Sequence, residues 1–257
     1  MEKQKLSFLK SKAKASTLHL LISCSIAFLV GIVVFFVWYP SPFGFASGGL
    51  KLFLLITAVD LVLGPALTFV VFNPKKRRAL LYLDFSVIAA FQLGALVYGV
   101  NTVYVARPVA VVNEGPRMRV VSAVDIDPQE LEKAPKSLRQ LSNSGPVLIG
   151  TREVTPAETA DVVMIALQGK DIGMRPEFWI EFDSMRDRVI QKIKPMNLLV
   201  DRYPDSKGKL EQIARERGLS LEEMGFLPVL SKQGIFTAMF TKKDGAFVDY
   251  IMLDGSL

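Results

Sequence analysis

The sequence predicts a membrane protein in which three transmembrane α-helices are followed by an α+β periplasmic domain. Three observations predict this class. Residues up to 105 hold three apolar runs of 20 or more residues, their charge is almost wholly basic, and the remainder alternates strand-like segments with well-marked helix starts. The expected organisation is a cytosolic basic N-terminus over 1–17, a three-helix transmembrane region over 18–105 and a periplasmic domain over 106–257.

The first run, Leu18–Val37, has 20 residues, the second, Leu50–Phe72, has 23, and the third, Ala79–Tyr104, has 26 with scattered polar members. Each is long enough to cross roughly 30 Å of hydrocarbon at about 1.5 Å per residue. Lys3, Lys5, Lys10, Lys12 and Lys14 ahead of the first run also suit a signal peptide. The run exceeds an ordinary signal h-region of about 7–15 residues, and Trp38 and Tyr39 follow it where an interfacial aromatic belt belongs, so an uncleaved anchor is expected.

Orientation follows from the basic residues. Five lysines precede the first span, Lys75, Lys76, Arg77 and Arg78 lie between the second and third, and only Lys51 lies around the intervening loop. The N-terminus and the 73–78 loop are therefore expected in the cytosol and the C-terminal domain outside, in a bacterial inner membrane. Residues 1–105 carry ten basic and three acidic residues, whereas 106–257 carry 21 and 22. The net charge of +6 is thus membrane-flanking charge, and nucleic acid is excluded as a partner because the globular part has no basic excess.

Asp60, the eleventh of its 23-residue run, is the most informative position in the membrane part. A carboxylate near the midplane costs about 2.5–3.5 kcal/mol even on lenient insertion scales, so it needs compensation. Counted from the cytosolic ends of their helices, Asp60 and Gln92 lie at nearly equal depth, and a hydrogen bond between them is expected. Gly64 and Pro65 follow about one turn on; Pro65 is expected to kink the helix and leave a carbonyl for another donor. Asp84, close to its helix end, can reach the interface beside Arg77 and Arg78. On the third span Ala90, Gly94, Ala95 and Gly99 give two small-xxx-small spacings for close helix approach.

In the outer domain, Pro108–Val112 and Met118–Ile126 read as strands around an Asn-Glu-Gly-Pro turn. Asp127, Thr155 and Ser220 each precede a Glu by three places and so read as helix starts, two of them with Pro at the first helical position. The second of these helices is expected to end near Gln168 before Gly169. Others are expected over 184–194 and 207–217, stopped by Pro195 and Gly218. Val147–Gly150 reads as a short buried strand, and Ile235–Phe240 and Phe247–Leu253 flank Lys242-Lys243-Asp244-Gly245 as a hairpin.

Several chemistries lack their residues. The single histidine, His19, is expected at the cytosolic edge of the first span, and the single cysteine, Cys24, lies within it. Neither can serve the outer domain, which removes Ser-His-Asp and Cys-His catalysis and the usual zinc sites there. No Gly-rich phosphate loop is present. Close carboxylates such as Asp183/Asp187 and Glu222/Glu223 read as solvated helix-surface charges; an intramembrane aspartate pair is conceivable in Asp60 and Asp84, but these differ in depth by roughly 10 Å and lack a supporting motif, so binding is the better expectation. No cofactor, no metal and no enzymatic activity are expected.

Phe36-Val37-Trp38-Tyr39-Pro40, Ala58-Val59-Asp60-Leu61-Val62-Leu63-Gly64-Pro65, Phe72-Asn73-Pro74-Lys75-Lys76 and Tyr98-Gly99-Val100 running to Arg107-Pro108 occur in a specific order and spacing. Over residues 18–112 the chain thereby resembles the type IV pilin accessory proteins, the TfpX/TfpZ (FimB-like) family. Beyond that the likeness is to the general plan, with Leu227-Pro228 and the hairpin around Asp244-Gly245. The resemblance implies a non-enzymatic inner-membrane accessory protein, or chaperone, whose partner is the type IV pilin subunit. It transfers no catalytic residues. From the residues alone a different class remains, a membrane sensor or transport-associated subunit in which Asp60 titrates.

Overall fold

The structure is a computed structural model that describes residues 2–256; Met1 and Leu257, the extreme residues of the expected N-terminal and C-terminal parts, lie outside the described residues. The chain divides into two compact units. One comprises the residues up to Val37 together with Gly49–Val105; the other comprises Trp38–Gly48 together with everything from Ala106 onward.

Helix α1 (Glu2–Ile32) continues as a wider, π-type turn over Val33–Trp38, α2 is a single turn (Phe43–Ala46), and α3 (Gly49–Val71) and α4 (Arg78–Val105) complete the helical part. In the first unit α1, α3 and α4 are each long and apolar enough to cross a membrane. Helix α1 starts sixteen residues ahead of the apolar run, because lysine is a good helix former and nothing in 2–17 breaks a helix. Helix α3 runs unbroken through Pro65. Large apolar side chains such as Phe28, Val62, Phe91 and Tyr98 stand exposed on the helices, as they do on helices solvated by lipid rather than water.

In the second unit the strands are β1 (Pro108–Asn113), β2 (Met118–Ser122), β3 (Val147–Thr151), β4 (Trp179–Glu181), β5 (Lys194–Pro195), β6 (Met224–Ser231), β7 (Gly234–Thr241) and β8 (Phe247–Ile251). Among the described residues they form one mixed sheet in the order β4-β3-β1-β2-β6-β7-β8, with β5 also pairing β6. β1 is parallel to β3 and β2 is parallel to β6; the remaining pairs are antiparallel. Between the strands lie α5 (Pro128–Leu131), α6 (Thr159–Leu167), α7 (Arg186–Lys192), α8 (Met196–Arg202) and α9 (Lys207–Glu216).

Alternation along the strands sorts the core into two sides. Val111, Val120, Leu227, Val229, Phe236 and Phe240 face one side with Phe43 and Ala46 of α2, Val189 of α7 and Met185 just before it. On the other side, Met224, Phe226 and Met239 meet Leu199 of α8 and Leu210 of α9. Ala110, Val112 and Ile149 meet Ile126, Ala134 and Trp179 there too. Cover on both faces explains why β1 is buried along its whole length, without the alternation of a half-exposed strand.

The hairpin at 242–245 forms as expected, with Gly245 at φ 64°, and Gly169 and Gly218 take left-handed conformations at the ends of α6 and α9. Three expectations change. The second strand stops at Ser122 and a single 3₁₀ turn follows. The helix expected from Thr155 begins at Thr159: Glu158 accepts from the Thr155 N–H at 3.0 Å and hydroxyl at 2.8 Å as a helix start requires, but the first turn closes through i to i+3 bonds, Glu158 N–H to the Thr155 carbonyl and Thr159 N–H to that of Pro156. The helix expected from Ser220 is one 3₁₀ turn that leads into β6. Its capping box is present, but Gly225 and Pro228 oppose helix beyond it, and the apolar residues between them are taken up by the sheet.

Pro228 is tolerated mid-sheet for a geometric reason. Ser231 and Gly234 face each other across the two-residue turn, so even-numbered residues of β6 direct their backbone groups away from β7. On that edge β5 pairs Phe226 and β2 pairs Leu230, and Pro228 falls in the gap, where no N–H is needed.

A polar cavity among the helices and an aromatic collar on the sheet

The polar residues of the first unit converge on one cavity of about 550 Å³ between α1, α3 and α4, lined mostly by apolar side chains but also by His19, Thr57, Asp60, Thr68 and Gln92. His19 Nδ1 lies 2.6 Å from Thr68 Oγ1, and His19 Nε2 lies 2.7 Å from Gln92 Oε1. The Gln92 amide nitrogen donates to the backbone carbonyl of Asp60 at 3.5 Å. With its oxygen facing His19, Gln92 can only accept there, so Nε2 carries the proton. A neutral imidazole is then satisfied in full if the Thr68 hydroxyl donates to Nδ1. One level away, Ser16 Oγ donates to the carbonyl of Pro65 at 2.8 Å, and Lys12 Nζ donates to that of Val70 at 3.0 Å, where a cation complements a helix C-terminus.

Two expected placements are thereby corrected. Gln92 meets the backbone of Asp60 rather than its carboxylate, because depth counted from helix ends assumes that the ends are level. Phe72 packs on Phe85 with ring centroids 6.2 Å apart, so α4 starts well beyond the end of α3. Gln92, seven residues past Phe85, stands ~10 Å along, level with Pro65, seven residues before Phe72. His19 is not at the helix edge: it is seven residues, again ~10 Å, inward of Lys12, which marks the end of α3. Among the described residues no hydrogen bond reaches the Asp60 carboxylate, which lines the same cavity as His19.

Gly64 belongs to the same contact. A Cβ there would overlap the Gln92 amide and come within 3.0 Å of His19 Nε2, so the glycine admits the Gln92 side chain to the α3 backbone. Of the small residues on α4, Gly99 admits Ile56 in the same way, whereas Gly94 faces open space; the small-xxx-small spacing therefore serves helix contact at one position only. Asp84 pairs with Lys76 at 2.7 Å rather than with Arg77 or Arg78. Arg78 opens α4, while Lys75 and Lys76 lie in the turn before it.

Sequence reasoning missed His19 as a member of this site. The signal was present: Ser16, His19 and Ser23 recur at i, i+3 and i+7 and so mark one polar stripe on α1.

The second unit gathers other residues of the quoted segments. Phe43 packs edge-to-face on Tyr250 and Phe236, with centroids 5.2 and 6.1 Å away, and the Ala46 carbonyl accepts from the Gln233 N–H at 3.1 Å. Tyr39 is buried, and burial pushes its phenol far above the usual range, with the Arg107 charge partly opposing. Arg107, buried at the foot of β1, donates from Nε to the Ser142 carbonyl and from Nη2 to Asn143 Oδ1, both at 3.1 Å. The segment 38–48, expected within the membrane region, is thus a collar on the sheet, drawn there by the apolar area of Phe43 and Tyr39. Among the described residues no group of three or more His, Cys, Asp or Glu side chains could hold a metal ion.

The fold and site define a protein with three helices able to cross a membrane, a polar cavity among them and a separate sheet-containing domain. The model of the fimbrial assembly protein FimB family matches residues 7–48, which take in most of α1 and the collar. Two fimbrial assembly proteins of Dichelobacter nodosus, of serogroup I and serogroup E1, are each 38% identical over 241 residues, covering 91% of this chain and 91% of their own. A third from the same organism, of serogroups C1 and C2, is 45% identical over 134 residues, 52% of this chain and all of its own. No solved structure matches the chain. The chain belongs to the FimB family of fimbrial assembly proteins, and the relationship extends through the sheet domain as well as the helices.

Proposed function

We propose that the protein is a non-enzymatic inner-membrane accessory factor of pilus biogenesis that acts as a chaperone for the type IV pilin subunit before it joins the fibre. The observation that carries this reading is the relation, along nine-tenths of the chain, to proteins named for fimbrial assembly. In this reading α1, α3 and α4 span the inner membrane, the N-terminus and Lys75–Arg78 are cytosolic, and the sheet domain is periplasmic; the asymmetry of basic residues supports that orientation. A subunit awaiting assembly carries a membrane helix and a periplasmic head, and this architecture offers a counterpart to each.

Asp60, Gly64, Pro65 and Gln92, with His19, form the intramembrane contact site in this proposal. The carboxylate of Asp60, which no hydrogen bond reaches among the described residues, belongs to a residue that lines the cavity and is the group left to meet a partner helix. A second reading, a sensor or transport-associated subunit whose Asp60 titrates, is favoured by one observation, the presence of His19 in the same cavity. The test is surface pilin recovered by shearing from strains expressing each allele at equal abundance. The chaperone reading expects a deletion to lose surface pilin and Asp60→Asn, which keeps hydrogen bonding, to retain it. Loss in Asp60→Asn as complete as in the deletion assigns the ionisable group and favours the second reading.

A further inference from the structure

Helix α6 is unlike α7, α8 and α9, each of which buries apolar side chains. Helix α9 buries Leu210, Ile213 and Ala214, whereas α6 buries none of its residues, although seven of the nine in Thr-Ala-Asp-Val-Val-Met-Ile-Ala-Leu are apolar. At 100° per residue Val162, Ile165 and Ala166 share one face and are half-buried. Ala160, Val163, Met164 and Leu167 share the opposite face at i, i+3, i+4 and i+7, and there Val163 is 52%, Met164 59% and Leu167 78% exposed. The helix is held in place by its other side: Arg175 Nη2 binds Asp161 at 2.9 Å, and Arg175 is itself largely buried. An apolar face with the spacing of a helix-in-groove anchor is therefore fixed outward on the domain.

Three occupants could cover it, and the structure favours one. A lipid surface fits poorly, because interfacial helices are rich in Lys and Arg, while α6 carries no cation and one carboxylate, Asp161. A second copy fits poorly on area, since three side chains and an alanine offer only a few hundred square ångströms against the ~800 Å² per partner of a standard stable interface. So small a face suits a contact that must be released.

We infer that the outward face of α6, formed by Ala160, Val163, Met164 and Leu167, is the docking surface for an apolar patch on the fimbrial subunit that the fibre later buries. This deepens the proposed function and rests on it. The experiment uses the full-length protein in native membranes with a photocrosslinking amino acid at Leu167, and at Lys209 on the exposed side of α9 as control. An adduct carrying both chains, recognised by antibody to the fimbrial subunit, is expected from position 167 and not from 209. Leu167→Asp and Met164→Asp, both at exposed positions, are expected to lower the adduct formed from position 163 at least fivefold without changing the abundance of the protein.

A subunit adduct equally strong from 209, an adduct of twice this chain's mass, or crosslinking to phospholipid alone overturns the inference. So does the absence of a subunit adduct in a strain whose deletion mutant loses surface fimbriae. A subunit adduct specific to 167 in an organism whose deletion mutant keeps its fimbriae leaves the contact standing and removes the chaperone role instead.

Discussion

Gln92 Oε1 stands 2.7 Å from His19 Nε2, and this contact ties α1 to α4 while the Gln92 amide reaches across to the backbone of α3. One carboxamide therefore touches all three long helices. Hydrogen bonds inside membranes are worth about 1 kcal/mol or less, so Gln92→Leu should lower the stability of the helical unit in detergent by about that amount. His19→Ala should do the same, and the double variant should cost less than the sum of the two, because both remove the His19–Gln92 contact while each also loses a bond of its own, to Thr68 or to the Asp60 carbonyl. Full additivity of the two losses in thermal unfolding would show that the residues act separately.

Gly64 and Gly94 offer an internal control on close approach. Gly64→Leu places a side chain where Gln92 already lies, and overpacking of this kind typically costs about 1–3 kcal/mol. Gly94→Leu enters open space and should leave the unfolding midpoint unchanged within error. Equal effects at the two positions would remove the contact argument.

The collar leads to a prediction about fragments. Phe43, 3% exposed and packed on Phe236 and Tyr250, completes the core of the sheet domain from outside the 106–257 segment. Phe43→Ala in the full-length chain should destabilise that domain by about 3–5 kcal/mol, read as faster limited proteolysis of the sheet. A fragment starting at Ala106 should bind a hydrophobic dye, and a fusion that restores residues 38–48 should abolish the binding. Dye binding that is the same with and without the collar would contradict this.

Four carboxylates of the second unit are held below the ordinary carboxylate range by local donors. Glu158 is lowered chiefly by Arg152 and then by Thr155, Glu223 by Ser220, Asp244 by Thr241, and Asp254 by Ser256. A carboxylate depressed in the folded state stabilises it above the unfolded value, near 4, and that contribution is lost as pH falls toward the folded value. The unfolding midpoint of the sheet domain should hold from pH 7 to about 4 and fall below that. Glu158→Gln should flatten part of the fall, and a profile identical to that of the unchanged protein would remove Glu158 from the account.

Orientation is tested independently of function. Alkaline phosphatase fused at the C-terminus should be active and a green fluorescent fusion at the same point dark, since nine basic residues lie before α1's apolar stretch and between α3 and α4, against Lys51 alone around the intervening loop. The reverse pair of results would place the sheet domain in the cytosol.

The apolar runs, the basic residues beside them and the glycines at 169, 218 and 245 were legible in the sequence because they act locally. Length alone makes a helix able to span, and Gly245, Gly169 and Gly218 take left-handed conformations that other residues resist. What only the tertiary structure decided was which distant groups meet. Ser220 to Glu223 carries a sound capping box, yet the next eight residues are a central strand, because burial between β7 on one edge and β2 and β5 on the other outweighs a local helix start. Phe43 read as part of a loop between two helices until the sheet supplied Phe236 and Tyr250 to cover it. His19, Asp60 and Gln92 were each visible as polar residues among apolar ones, but their pairing depended on how far α4 starts beyond the end of α3. That offset is set by packing such as Phe72 on Phe85, a contact that neither helix encodes alone.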